Sequence, residues 1–188
     1  MDIRQARVDE YERILEFYND VLDGLENAQY HPRWQKGIYP TEASLRKAIE
    51  NKQLYVGLIG TGMVAAMVFN HEFNEGYKQV SWTVDASDDE VFMIHLLCVH
   101  PKVKRRGLAK EMVCWAIEEA KRQHMKAIRL DVLKGNVPAE KLYPSLGFKY
   151  ITTERTYYDD LDWMDFLLYE CPLGNVEQEE SLCGLFMR

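Results

Sequence analysis

What this chain lacks narrows it first. No apolar run reaches the roughly 20 residues that a membrane-crossing helix needs, so no membrane partner is expected. The opening Met1-Asp2-Ile3-Arg4-Gln5 has none of the apolar core of a secretory signal, and a cytoplasmic protein is expected. The four cysteines, Cys98, Cys114, Cys171 and Cys183, include no C-x-x-C pair, and a chain of 188 residues is too large to need disulfide staples. Reduced thiols and no metal site are expected. Neither G-x-G-x-x-G nor G-x-x-x-x-G-K-[ST] occurs, which removes a Rossmann dinucleotide site and a P-loop. Positive charge is also short. A net charge of -7 opposes the basic face of a nucleic-acid binder, so no nucleic acid is expected. An acidic surface suits a cationic substrate such as an amine, and it also serves solubility alone.

What remains is an ordinary globular composition, 47% hydrophobic and 28% charged, read as one domain over residues 1–188. Residues 3–8 form a short strand. Asp9 reads as the N-cap of a helix to about Leu22, with Tyr11, Ile14, Leu15 and Tyr18 at helical spacing. Residues 23–40 lose all period yet carry Tyr30, Trp34, Ile38 and Tyr39, an aromatic-rich loop. A second helix covers residues 41–51. Strands 54–59 and 63–70 flank the turn Gly60-Thr61-Gly62, and residues 71–90 are irregular. Residues 91–99 are apolar without a charge, as in a central strand buried on both faces, and His100-Pro101 ends them.

The helix at 107–124 is the clearest, with Leu108, Met112, Val113, Ala116, Ile117 and Ala120 on one face. A strand at 127–132, a short helix at 137–146 capped by Gly147, and strands 148–158 and 163–170 around an acidic turn follow. Segments 91–99, 107–124 and 127–132 make a β-α-β unit, whose two strands must be parallel. The other pairings are expected to be antiparallel. The expected class is α/β: a mixed, mainly antiparallel sheet of about seven strands flanked by helices.

One stretch breaks the acidic trend. Lys102, Lys104, Arg105, Arg106 and Lys110 lie within nine residues that hold no acid. A buried strand here passes through a basic loop into the first turn of a helix, where free N–H groups and the helix dipole favour an anion. Gly107 lets the backbone approach a phosphate without a Cβ in the way. A solvated helix start is the plainer reading of the same pattern.

Lys104-Arg105-Arg106-Gly107-Leu108-Ala109 resembles the pyrophosphate loop of GNAT acetyltransferases, Q/R-x-x-G-x-G/A, with Lys104 in place of Gln or Arg. Downstream, Leu130-Asp131-Val132, Asn136, Ala139, Leu142-Tyr143 and Leu146-Gly147-Phe148 are similar to the family's strand, Asn, Tyr-bearing helix and Gly-Phe. The likeness is strong over residues 91–150. It implies acetyl-CoA as cofactor and transfer of its acetyl group to a primary amine, carried by a small molecule or a protein. It implies that the strands 91–99 and 127–132 splay, and that the backbone of Leu97 and Val99 pairs with the pantetheine arm, with Asn136 on its other side. It gives Tyr143 the part of general acid toward the leaving thiolate. Many relatives carry a carboxylate where this chain has Met93. His95 lies on the same strand face, with an ordinary pKa of about 6.5 suited to a base, and is equally compatible with a core histidine. Glu90 and Asp89 are positioned to act through water. Tyr30, His31, Trp34 and Tyr39 are expected at the substrate mouth or as an aromatic lid on the core. A homodimer is common in such proteins; Tyr157, Trp163 and Phe166 are candidates to pair subunits or to fill the core. A non-catalytic acyl-CoA-binding domain on the same fold is the alternative.

Overall fold

The computed structural model describes residues 1–26, 28–30, 32–158 and 162–174. The turn residues 159–161, Cys183 and His31 lie outside the described residues. Seven strands are present among those described: β1 (Asp2–Gln5), β2 (Leu54–Ile59), β3 (Gly62–Asn70), β4 (Val91–Val99), β5 (Ala127–Leu133), β6 (Lys149–Tyr158) and β7 (Asp162–Pro172). Four α-helices accompany them: α1 (Tyr11–Asp23), α2 (Glu42–Glu50), α3 (Leu108–Arg122) and α4 (Val137–Leu142). The sheet order is β1-β2-β3-β4-β5-β7-β6, a mostly antiparallel open sheet flanked by helices, as the sequence pattern requires. No helix among the described residues is long and apolar enough to cross a membrane. The chain falls into two compact units, Met1–Phe69 with Ile94–Trp115, and Asn70–Met93 with the chain from Ala116 onward.

In the first unit, β1 pairs antiparallel with β2, and β2 with β3. The core forms where the apolar stripes of two helices meet these strands. Ile14, Phe17, Tyr18 and Val21 of α1 and Leu45, Ala48 and Ile49 of α2 pack with Leu54, Val56, Ala66, Val68, Leu96 and Cys98. Helix α2 starts as expected, with Thr41 accepting the Ser44 N–H at 3.0 Å, a cap worth about 1 kcal/mol. Helix α1 starts differently. The Asp9 carboxylate takes the Arg7 guanidinium at 3.0 Å instead of capping the helix, and Glu10 turns back to accept the Arg7 N–H at 3.1 Å. A 3-10 turn at Val8–Glu10 results, and the α-helix begins at Tyr11.

In the second unit, β5 pairs antiparallel with β7, and β7 with β6. The start of β4 runs parallel to β5, with Val91, Phe92 and Met93 opposite Ala127, Ile128 and Arg129. Residues 71–90 form a strap of irregular backbone and 3-10 turns. Its Tyr77, with Phe73, Val80 and Trp82, packs on Met93 and Leu168. A buried ion pair fixes the strap. Arg129 Nε donates to Glu170 Oε1 at 3.0 Å, and the guanidinium also donates to the Val84 carbonyl and lies over the Trp82 ring. Glu170 Oε2 accepts the N–H groups of Thr83 and Val84 at 3.0 and 3.1 Å. With both partners almost fully buried, 4% and 0% exposed, these extra bonds satisfy the charges that desolvation would otherwise make costly. The helix expected over 137–146 ends earlier, at Leu142, because Pro144, two residues on, has no N–H to continue the ladder. A 3-10 turn completes it, and Gly147 at φ 90 closes that turn.

Candidate functional site

The candidate residues divide between the units. Leu97, Val99, His95, residues 104–109, Tyr30, Trp34 and Tyr39 belong to the first; Glu90, Asn136 and Tyr143 belong to the second.

Strand β4 changes character along its length. Val91 to Ile94 are all buried, as a doubly covered central strand should be, whereas from His95 onward burial alternates: His95, Leu97 and Val99 are half-exposed, and Leu96 and Cys98 are buried. The expectation of a strand covered on both faces therefore holds only for its first half. Leu96 has φ 53, a left-handed residue that interrupts an otherwise extended strand. The buried Tyr18 hydroxyl donates to its carbonyl at 3.2 Å, pinning the irregularity in place. Cys98 sits in the core beside it, and burial pushes its thiol up to about 12, so it is inert packing at neutral pH.

The strand ends in a braced turn. The His100 N–H donates to the Val64 carbonyl at 2.9 Å, and Pro101–Val103 make one 3-10 turn. Lys104, Arg105, Arg106 and Gly107 then run exposed into α3, which begins at a buried Leu108. Two of these residues are left-handed, Arg105 at φ 67 and Gly107 at φ 75. The Gly107 carbonyl accepts the Glu111 N–H, so the N–H groups ahead of Glu111 have no intrahelical acceptor. A Cβ at Gly107 would meet nothing within 4 Å; the space over this backbone is open. No carboxylate among the described residues pairs with Lys104, Arg105 or Arg106. Three uncompensated cations, first-turn amides without an intrahelical acceptor and an open glycine together suit a polyanion such as a pyrophosphate.

Trp34 is half-buried against the core of its unit and meets Tyr39 edge-on, with centroids 6.3 Å apart. Tyr30 and Tyr39 are exposed. Trp34 also lines a shallow depression with Leu22, Asp23, Leu25, Glu26, Gln35 and Lys36.

In the second unit, Tyr143 follows α4 and is 6% exposed, with its ring edge-on to Phe148 at 5.4 Å and tilted to Tyr169 at 6.4 Å. Its hydroxyl has no hydrogen-bond partner among the described residues, and no fully buried side-chain oxygen there lacks one; the phenol oxygen therefore keeps contact with solvent. Burial, reinforced by the Asp131 charge, raises its pKa above the ordinary tyrosine value, so the phenol stays protonated. Asn136 precedes α4 at φ -77, and its side chain makes no capping bond. Met93, at the position where relatives carry a carboxylate, is fully buried beneath the strap.

Glu90 is committed to other partners. Its carboxylate takes the Lys126 ammonium at 2.8 Å and the Ser87 N–H and hydroxyl at 3.0 and 2.9 Å. These contacts, Lys126 first, hold its pKa at about 2. A carboxylate so held is a poorer acceptor for an ammonium proton than a free one. Sequence reasoning passed over His100, read only as a strand stop, and the Arg129–Glu170 pair, whose members lie far apart along the chain.

The profile of the Acetyltransferase (GNAT) family matches residues 13–148. The ribosomal protein bS18-alanine N-acetyltransferase of Escherichia coli (strain K12) is 32% identical over 93 residues, 50% of this chain and 63% of that protein. Its namesake from Haemophilus ducreyi is 33% identical over 70 residues, 37% of this chain and 48% of that protein. The matched stretch is thus less than two thirds of the length of these curated relatives. Among solved structures, a GNAT family acetyltransferase from Streptococcus agalactiae superposes with a TM-score of 0.73 at 20% identity, over 91% of this chain and 94% of that one. YncA from Salmonella typhimurium, solved with its cofactor acetyl-CoA, gives a TM-score of 0.68 at 19% identity, over 96% and 98%.

Proposed function

This chain belongs to the GNAT acetyltransferase family, and on that premise we propose that it transfers the acetyl group of acetyl-CoA to a primary amine by direct attack in a ternary complex. It is an acyltransferase, and its cofactor is acetyl-CoA. The family match runs through both compact units, which supports reading the chain as one acetyltransferase domain.

The observation that carries the reading is the loop at 104–109. Its left-handed Arg105 and Gly107, its first-turn N–H groups without an intrahelical acceptor and its cations unpaired among the described residues support a role in holding the CoA phosphates through backbone amides and charge. Leu97 and Val99, half-exposed past the left-handed Leu96, offer strand backbone to the pantetheine amides. Asn136, free of capping duty, offers its carboxamide to the same arm. Acetyl-CoA supplies the activated thioester.

Tyr143 acts at the leaving sulfur. A phenol whose pKa is raised lies well above a thiol at about 8.5, so its contribution is a strong hydrogen bond, or a proton, given as thiolate charge develops. With Met93 apolar and Glu90 held acidic, His95 is the group of β4 left to take the proton that an ammonium substrate must lose. Tyr30, His31, Trp34 and Tyr39 are proposed to contact the acceptor. The bS18-alanine N-acetyltransferases among the relatives make a peptide with an N-terminal alanine the first acceptor to try, beside small amines. The test is thiol release from acetyl-CoA over a panel of small amines, amino acids, lysine peptides and such N-terminal peptides. Turnover with at least one supports the reading. Acetyl-CoA binding without thiol release above the blank for every amine would favour a non-catalytic acyl-CoA-binding domain.

A further inference from the structure

The turn that leads into the cofactor loop is tied to α1 by an imidazole. The Lys102 N–H donates to His100 Nδ1 at 3.2 Å, so Nδ1 carries no proton and the neutral ring holds its proton on Nε2. Nε2 lies 3.1 Å from Asp20 Oδ2, and it donates there. The ring also packs against Phe17 at 5.8 Å, one turn of α1 before Asp20. The backbone on either side of the ring is bonded too, with the His100 N–H to Val64 and the Val103 N–H to the His100 carbonyl. Next to it Pro101 fills the space above Gly24, where an added Cβ would stand 2.7 Å from the proline Cβ and Cγ. All of these residues belong to the first unit.

We propose that His100 is the positioning residue of the cofactor loop: by capping its own 3-10 turn through Nδ1 and anchoring to Asp20 through Nε2, it holds residues 104–109 in the conformation that receives the CoA phosphates. It touches no reacting atom. Its work is to order the loop beforehand, because a loop that must first be ordered binds more weakly by the cost of ordering it. A histidine suits the position because one flat ring accepts from the backbone on one edge and donates to a carboxylate on the other. This inference rests on the reading of residues 104–109 as the CoA phosphate site.

The probe is CoA itself, titrated by calorimetry into the intact protein, with thermal melting alongside. His100→Ala removes both bonds and should weaken CoA binding roughly tenfold, the ordering equivalent of one or two ordinary hydrogen bonds. His100→Asn keeps a carbonyl that can accept the Lys102 N–H, as asparagine does in turns, and should recover most of that loss. Asp20→Ala should weaken binding about threefold alone, the lower end for one hydrogen bond, and add nothing in the His100→Ala background. A His100→Ala protein that melts normally and binds CoA like the wild type overturns the proposal, as does an Asn variant no better than Ala. If His100→Ala does not fold, Asp20→Ala carries the test, and unchanged CoA affinity there overturns the anchor. Gly107→Glu separates this from the parent reading. Normal CoA binding in Gly107→Glu sinks the phosphate site itself, whereas lost binding there with normal binding in His100→Ala sinks only the positioning role.

Discussion

The loop at 104–109 and the residue Tyr143 are built on opposite principles. The loop is proposed to work through backbone: it is exposed, two of its residues are left-handed, and its position 107 has no side chain at all. Tyr143 is proposed to work through one atom, a hydroxyl at the edge of a ring that is otherwise buried among Phe148 and Tyr169. A site that binds a polyanion needs many weak donors and tolerates the exact identity of its cations, so on the proposed reading Lys104 can stand where the family pattern has Gln or Arg. A site that supplies a proton donor needs one group with a defined protonation state, and burial provides that by raising the phenol pKa. The two should therefore fail differently.

The largest effect is expected at Gly107. Gly107→Glu puts a side chain and a negative charge where phosphate is proposed to sit, and like charges at such range cost several kcal/mol. Acetyl-CoA affinity should fall by about a thousandfold or more in calorimetry. The fold should persist, since a Cβ there meets nothing within 4 Å and the left-handed φ costs an L-residue only about 1–2 kcal/mol. Gly107→Ala pays the same backbone strain without the charge, so it should lose stability but keep most of the affinity; similar affinity losses in both would assign the effect to backbone and not to phosphate.

Tyr143→Phe comes next. The turnover number should fall by roughly ten- to a thousandfold while acetyl-CoA affinity and melting temperature barely move, because the hydroxyl has no protein partner among the described residues to lose. A rate equal to the wild type, with chemistry limiting, would leave the thiolate to water or backbone amides.

His95→Gln is expected to lower kcat/KM about tenfold at the acidic end of the profile, where free amine is scarce, and less toward alkaline pH where the amine deprotonates unaided. Superimposable profiles would remove His95 from the mechanism. Glu90→Gln should do least. The folded-state pKa of Glu90 is depressed to about 2, so whatever stability its ionisation contributes is complete above its ordinary pKa of about 4.5 and is lost only as pH falls through about 2. Nothing titrates at Glu90 near neutrality, and the shape of the activity profile above about pH 6 should not change. A shifted limb in this variant would point to Glu90 as base.

The same contrast explains how much could be read from the sequence. Strands β2 and β4 are legible to the residue because each is a bounded apolar run, and the loop proposed to hold phosphate stands out because its features are local: basic residues, a glycine and a helix start within one short stretch. Long-range pairs leave no such trace. Nothing near Arg129 announces Glu170, and nothing near His100 announces Asp20, so the clamp on the strap and the anchor of the cofactor turn emerge only with the fold. Competition between neighbours accounts for the misplaced start of α1, where Arg7 captures the carboxylate of Asp9 that would otherwise cap the helix. The Lys126–Glu90 pair is hidden like the other long-range pairs, since its partners lie on either side of α3 in the chain. The left-handed backbone at Leu96 is equally hidden, because leucine has no propensity for a positive φ.

A single-turnover titration of acetyl-CoA, run on the wild type, Gly107→Glu and Tyr143→Phe with an accepted amine, tests the division of labour most directly, since half-saturation reports cofactor affinity and the plateau reports the chemical rate. The account predicts that Gly107→Glu moves the half-saturation point far upward, while Tyr143→Phe lowers the plateau and leaves half-saturation in place. A Tyr143→Phe curve with a wild-type plateau, or a Gly107→Glu curve with wild-type half-saturation, contradicts it.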